Sequence, residues 1–147
     1  MRGPSVTDQQ TELASLLRDV PMFTGLSDKT LKGIARQMKE YSRAAGDTVV
    51  EQGREGDLGH MYVVLEGTLS VDASGNELAE LGPGDHFGEM ALLDGKPRSA
   101  TVTATSFVRL AGLSAWNFRA LLHEETEIVD RVIAVLIERL RVADASL

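Results

Sequence analysis

Ten of the fourteen glycines fall between positions 46 and 95, at 46, 53, 56, 59, 67, 75, 82, 84, 88 and 95. They cut the middle of the chain into short pieces. The pieces 48–50, 61–65, 68–71, 77–81, 100–105 and 107–113 are rich in β-branched or alternating residues. Short strands between frequent turns predict a compact antiparallel roll or barrel. Ala100, Val102 and Ala104 alternate with Thr101, Thr103 and Thr105, the period-two pattern of a strand with one buried face. The Ser74-Gly75-Asn76 stretch predicts a hairpin turn.

Helical spacing occupies both flanks. Leu13, Leu16, Leu17 and Val20 recur at helical intervals over 9–20, and Pro21 stops that helix. Ser27 and Asp28 read as an N-cap and a first-turn acid. They open a second helix with the stripe Leu31, Ile34, Ala35 and Met38, expected to end near Gly46. After Leu113, Ser114 caps a short helix through Trp116 to Leu122, and a longer helix is expected over 125–142. That helix is apolar on two faces: Val129, Ile133, Leu136 and Leu140 on one, Ile128, Val132 and Val135 on the other. The order of elements predicts an α+β fold, a jelly-roll-like antiparallel β-roll flanked by N-terminal and C-terminal helices. The expected division is a flexible tail over 1–8 and one domain over 9–147, with N-terminal helices over 9–46, the roll over 47–113 and C-terminal helices over 114–147.

Composition excludes several function classes. A chain of 147 residues fits a single hydrophobic core. Without cysteine it has no disulfide, thiolate metal site or cysteine nucleophile. The net charge of −7 and pI near 4.9 argue against nucleic acid as a direct partner. A small anion is still compatible, because one arginine and a few backbone N–H groups can hold a phosphate inside an acidic protein. The longest near-apolar run, 128–137, is interrupted by Asp130 and Arg131 and is too short to span a bilayer, so no membrane partner is expected. The first residues lack the apolar core of a secretory signal, which leads to the expectation of a cytoplasmic protein.

One stretch breaks the strand rhythm. From Gly84 to Ala100 the sequence reads GDHFGEMALLDGKPRSA, a glycine, an acid and one turn of good helix formers inside a β region. Gly88 ahead of that turn lets the N–H groups of Gly88, Glu89, Met90 and Ala91 approach an anion. Arg98 follows a Gly-Lys-Pro loop that can fold it back over the same place, and its planar fork suits two phosphate oxygens. Ser99 adds a hydroxyl donor. Glu89 would repel a lone phosphate, yet it can accept hydrogen bonds from a ribose hydroxyl while Arg98 balances the charge. The combination describes a nucleotide whose phosphate and ribose lie side by side.

The pairs Phe87-Gly88-Glu89-Met90-Ala91-Leu92 and Pro97-Arg98-Ser99-Ala100-Thr101-Val102 resemble the phosphate-binding cassette of cyclic-nucleotide-binding domains. Such domains occur in kinase regulatory subunits, nucleotide-gated channels and catabolite-activator-type regulators. The resemblance extends to Pro21-Met22-Phe23, to Gly25-Leu26-Ser27, to Gly53 through Gly56 and to Gly67, and so covers nearly the whole chain. It implies that Glu89 holds the ribose 2′-hydroxyl and Arg98 the cyclic phosphate, within a cassette over 84–102 that includes Ala100. It implies that Val71 and Leu81 line the purine, and that Arg139, on a lid helix over 125–142, reaches the base. A serine at 99, in place of a threonine, tilts the expected ligand towards cAMP, with cGMP as the alternative. The helix over 114–122 would act as a hinge moving with the cassette.

Competing chemistries find no support. His60, His86 and His123 are scattered, without a His-x-His pair, so no metal is expected. No G-x-G-x-x-G follows a strand and opens a helix, and Gly95-Lys96 runs into Pro97, which rules out a P-loop. No nucleophile–base pair is evident, and the chain reads as a binder, not an enzyme. The rival expectation is an interaction module that keeps the fold and binds no ligand. A homodimer through the last helix, by whichever of its apolar faces does not pack on the roll, is a further expectation. No helix-turn-helix or kinase-inhibitor segment is present, so the effector is expected to lie outside this sequence.

Overall fold

The computed structural model describes residues 6–53, 59–89, 91–94 and 98–145. They form two compact units, one of Met38–Phe118 and one joining the residues up to Gln37 with those from Arg119 onward.

The first unit is the roll. Its strands are β1 (Lys39–Arg43), β2 (Thr48–Val50), β3 (His60–Glu66), β4 (Leu69–Ala73), β5 (Asn76–Leu81), β6 (His86–Phe87), β7 (Thr101–Ala104) and β8 (Val108–Ser114). They make two four-stranded antiparallel sheets, in the orders β1-β8-β3-β6 and β2-β7-β4-β5. Val64, Phe87, Val108 and Leu110 from one sheet join Val50, Leu69, Val102 and Ala104 from the other in a single core cluster. The expected alternation over 100–105 appears as buried Val102 and Ala104 between half-buried Thr101 and Thr103. Each large apolar side chain fully removed from water contributes about 1.5–3 kcal/mol, so this cluster is what holds the sheets face to face. At the β4–β5 hairpin, Ala73 pairs with Asn76 and the two loop residues, Ser74 and Gly75, have φ of 52° and 82°. Both signs match a two-residue turn of the primed type, whose twist suits a hairpin.

The helical unit contains α1 (Val6–Leu17), a single 3-10 turn at Pro21–Phe23 and α2 (Asp28–Gln37). It also holds α5 (Thr126–Ala145) and the later residues of α4 (Ala115–Glu124), a helix that begins in the roll unit. A short turn of helix within the roll, α3, spans Ala91–Asp94. Ser27 caps α2 as expected, its Oγ accepting from the Thr30 N–H at 3.3 Å. Glu127 at the start of α5 fastens onto the same cap, accepting from Thr30 Oγ1 at 2.6 Å, Ser27 Oγ at 2.9 Å and Ser27 N at 3.1 Å. Arg131 Nε donates to the Pro21 carbonyl at 2.8 Å. On α5, Ile128, Val132 and Val135 are buried while Ile133, Leu136 and Leu140 are exposed, which separates the two apolar faces read from the sequence. No helix among the described residues is long and apolar enough to cross a membrane.

Three elements differ from expectation. The second helix ends at Gln37, well short of Gly46, because β1 follows it. Lys-Glu-Tyr-Ser-Arg has no local strand signature: only Tyr41 is half-buried and the other four side chains face solvent. Its strand state comes from pairing with β8, from Lys39↔Gly112 to Arg43↔Val108, a partner remote in sequence. Gly46, at φ +93°, makes the following turn and donates to the Ala104 carbonyl at 2.7 Å. The first helix runs over Val6–Leu17, so Val20 lies beyond its end and is buried next to the 3-10 turn. Two-residue β6 also went unread, since a pair of residues carries no periodicity.

Candidate functional site

Phe87 anchors the unusual segment to the roll. It pairs with Tyr62 on β3, stacks on that ring at 5.2 Å between centroids and belongs to the core cluster. Tyr62 in turn stacks on His60 at 5.7 Å and meets Tyr41 edge-on at 5.9 Å. Rigid aromatic contacts of this kind fix where the chain leaves β6, and so where Gly88 and Glu89 stand.

Gly88 has φ +83°, and a Cβ there would come 2.5 Å from the His60 carbonyl oxygen and 2.7 Å from Arg98 Nη1. Glycine is required on two counts, backbone conformation and space. Arg98 is 8% exposed, which is rare for arginine, and its Nη1 donates to that same His60 carbonyl at 3.0 Å. Its own carbonyl accepts from the Gly53 N–H at 2.9 Å. The structure thus brings Gly88 and Arg98 into contact although ten positions separate them.

Glu89 follows directly and is mostly enclosed, with its side chain 20% exposed. Its Oε2 lies 3.4 Å from Nδ1 of His86, whose side chain is 22% exposed. The hydrogen bond that the ring N–H donates to Glu89 raises the His86 pKa above the ordinary 6.5; burial works against this, and the charges of Glu89 and Asp85 add to it.

α3 is tied to the rest of the roll at Gly59. A Cβ on Gly59, at φ +79°, would meet the Ala91 carbonyl oxygen at 2.6 Å. The Gly59 carbonyl accepts from the N–H of Ala115, the first residue of α4, at 2.9 Å. The buried Ala91 donates its N–H to the Gly88 carbonyl at 3.0 Å, so this expected anion donor is engaged within the turn. Ser99 is exposed and Ala100 half-buried in the bend before β7. Val71 on β4 and Leu81 on β5 are partly buried and pack against the core cluster. Arg139 is exposed on α5, in the helical unit. Met90 and the Gly95-Lys96-Pro97 loop lie outside the described residues.

Two residues escaped the sequence reading. The His60 carbonyl is a main-chain group, and no side-chain pattern announces it. His86 shows no metal-ligand pattern, although its position three residues before Glu89 offers a signal for a carboxylate contact. Among the described residues no cluster of three or more His, Cys, Asp or Glu could hold a metal ion.

Comparisons with known proteins place the roll in a family. Residues 41–125 match the cyclic nucleotide-binding domain family. The chain is 40% identical, over 84% of its length, to a cyclic nucleotide-gated potassium channel of Mesorhizobium japonicum, of which it covers 34%. It therefore spans about a third of the length of the curated relatives it matches. Among solved structures it resembles the N-terminal domain of a transcriptional regulator from Streptomyces coelicolor, with TM-score 0.80, 32% identity and coverage of 90% of this chain and 94% of that one. It also resembles the regulatory domain of Toxoplasma gondii PKA crystallised with cAMP, with TM-score 0.67, 25% identity and coverage of 87% and 51%. Two facing antiparallel sheets, a glycine turn against a buried arginine and the match over most of the roll lead to one conclusion: the chain belongs to the cyclic nucleotide-binding domain family, whose members are regulatory binding domains without catalytic activity.

Proposed function

We propose that the roll binds cAMP, with Arg98 on the cyclic phosphate, Glu89 on the ribose 2′-hydroxyl, and Val71 and Leu81 against the purine. The observation that carries this reading is the enclosed Arg98 side chain held beside Gly88, with Glu89 on the next residue. An arginine already stripped of most of its water and fixed in direction gains more from an anion than a solvated one does. Ser99 keeps a hydroxyl at the position after the arginine, and the likeness to a cAMP-containing regulatory domain supports cAMP over cGMP.

Binding acts as a switch by favouring one arrangement over another. The cassette turn α3 abuts Gly59, and Gly59 holds the first N–H of α4, so tightening around a phosphate reaches the start of α4 through contacts within the roll. The exposed Ile133, Leu136, Ile137 and Leu140 share one face of α5 and favour association with a second copy or an effector, since clustered exposed apolar side chains mark interaction sites. Calorimetric titration with cAMP and cGMP tests the reading. Heat and thermal stabilisation with cAMP support it; neither effect with either nucleotide rejects it in favour of a ligand-independent interaction module.

A further inference from the structure

We propose that His86 is a positioning residue of the nucleotide site: its imidazolium form holds the Glu89 carboxylate for the ribose hydroxyl and makes cyclic-nucleotide affinity depend on pH. The proposal rests on the cAMP reading above and adds a residue and a dependence to it.

The geometry places the two groups together. His86 sits on β6, three residues before Glu89, and its Nδ1 faces Glu89 Oε2 at 3.4 Å. Both side chains are about four-fifths enclosed, so the contact is screened less than a surface pair. β6 is fixed by its pairing with β3, where Tyr62 opposes Phe87 and Val63 opposes His86. The backbone of His86 is therefore held by the sheet, and Glu89 follows in the turn two residues after β6 ends.

The charges around His86 set the direction of the effect. Among the described residues, the carboxylates of Glu89 and Asp85 act on it, both favouring the protonated ring. The residues opposite β6 on β3, Tyr62 and Val63, carry no charge, and the cation Arg98 stands beside Gly88. The Asp85 carboxylate is also committed to the turn, accepting from the Gly82 N–H at 2.8 Å. A carboxylate has about four acceptor sites on two oxygens, so Glu89 can bond His86 and a ribose hydroxyl together. Protonated His86 does two things for an anionic ligand. It orients the acceptor, and it cancels the carboxylate charge that would otherwise repel the cyclic phosphate. Neutral His86 does neither as well. Affinity accordingly falls as pH rises through the His86 pKa, and bound phosphate raises that pKa further.

Two measurements test this. The first is an NMR titration of the His86 ring in the ligand-free chain, in the wild type and in Glu89→Gln. The midpoint should fall towards 6.5 in the variant; an unmoved midpoint overturns the contact. The second is the calorimetric affinity for cAMP between about pH 6 and about pH 9, in the wild type and in His86→Gln, which keeps a side-chain donor but does not titrate. Wild-type affinity should weaken several-fold across that range, while His86→Gln should be flat. A flat wild-type profile, or a slope that persists in His86→Gln, overturns the proposal. Should His86→Gln fail to fold, the wild-type His86 midpoint with and without cAMP decides: a rise supports the proposal and no rise overturns it. Absence of cAMP binding at every pH removes the nucleotide reading and this proposal with it. Binding with a flat profile removes this proposal alone.

Discussion

Arg98 Nη1 donates to the main-chain carbonyl of His60 at 3.0 Å, across the space that a side chain on Gly88 would fill. This contact joins three segments that the chain keeps well apart, and it fixes the direction of the guanidinium before any ligand arrives.

Gly88→Ala should therefore damage both stability and binding. A Cβ at 2.5 Å from a backbone oxygen must move something, and the positive φ alone costs about 1–2 kcal/mol for a non-glycine residue. Urea melts should show a loss of at least about 1 kcal/mol, and titration with cAMP a drop in affinity beyond tenfold, because Arg98 is displaced. Unchanged affinity in a folded variant would mean that Arg98 and Gly88 act independently.

Arg98→Ala should weaken cAMP binding by at least about 2 kcal/mol, the scale of a charged hydrogen bond. Arg98→Lys should recover only part of the loss, because a point charge on a flexible stem cannot hold the His60 carbonyl and a phosphate with one planar group. Equal affinity for wild type and Arg98→Lys would argue against a bidentate contact.

Gly67→Ala should compromise the roll itself. With φ +88°, an added Cβ would lie 2.1 Å from the Phe107 carbonyl oxygen and 2.8 Å from Val108 Cγ1. That backbone junction holds β3–β4 against the start of β8, so the expected result is poor expression or a thermal midpoint lowered by several degrees, as about 1–2 kcal/mol shifts a domain of this size. A midpoint equal to wild type contradicts the packing described.

Glu127 gives the helical unit an acid-sensitive fastening. Hydrogen bonds from Thr30 first, and then from Ser27, hold its carboxyl below the ordinary 4.5. Folding therefore favours the charged form. The resulting stability is present above the unfolded value and is lost as pH falls through the lower folded one. The difference in thermal midpoint between wild type and Glu127→Gln should be largest near pH 7 and should vanish in acid below that folded value. A difference that does not change with pH would show that the carboxylate charge plays no part.

Much of this was readable from residue types and spacing. The glycine-punctuated strands 48–50 and 61–65, the β4–β5 hairpin and the Ser114-capped helix all rest on local preferences, and Ser114 Oγ does accept from the Asn117 N–H at 3.1 Å. Gly88, Glu89 and Arg98 were legible because a glycine, an acid and an arginine interrupt a β pattern. β1 was not, because Lys39–Arg43 becomes a strand only through β8, which supplies its backbone partners. The Arg98 contact with His60 was equally silent, since a main-chain carbonyl leaves no mark in a sequence. His86 had a signal, its spacing to Glu89, but spacing alone does not reveal that the turn after β6 brings the two side chains within 3.4 Å.

The central claim is that this roll holds a cyclic nucleotide through Arg98. Isothermal titration of wild type and Arg98→Ala with cAMP tests it most directly. The account predicts a saturable one-site isotherm for the wild type and at least about thirtyfold weaker binding for the variant, the equivalent of about 2 kcal/mol. No heat with the folded wild type, or the same affinity in both proteins, would contradict it.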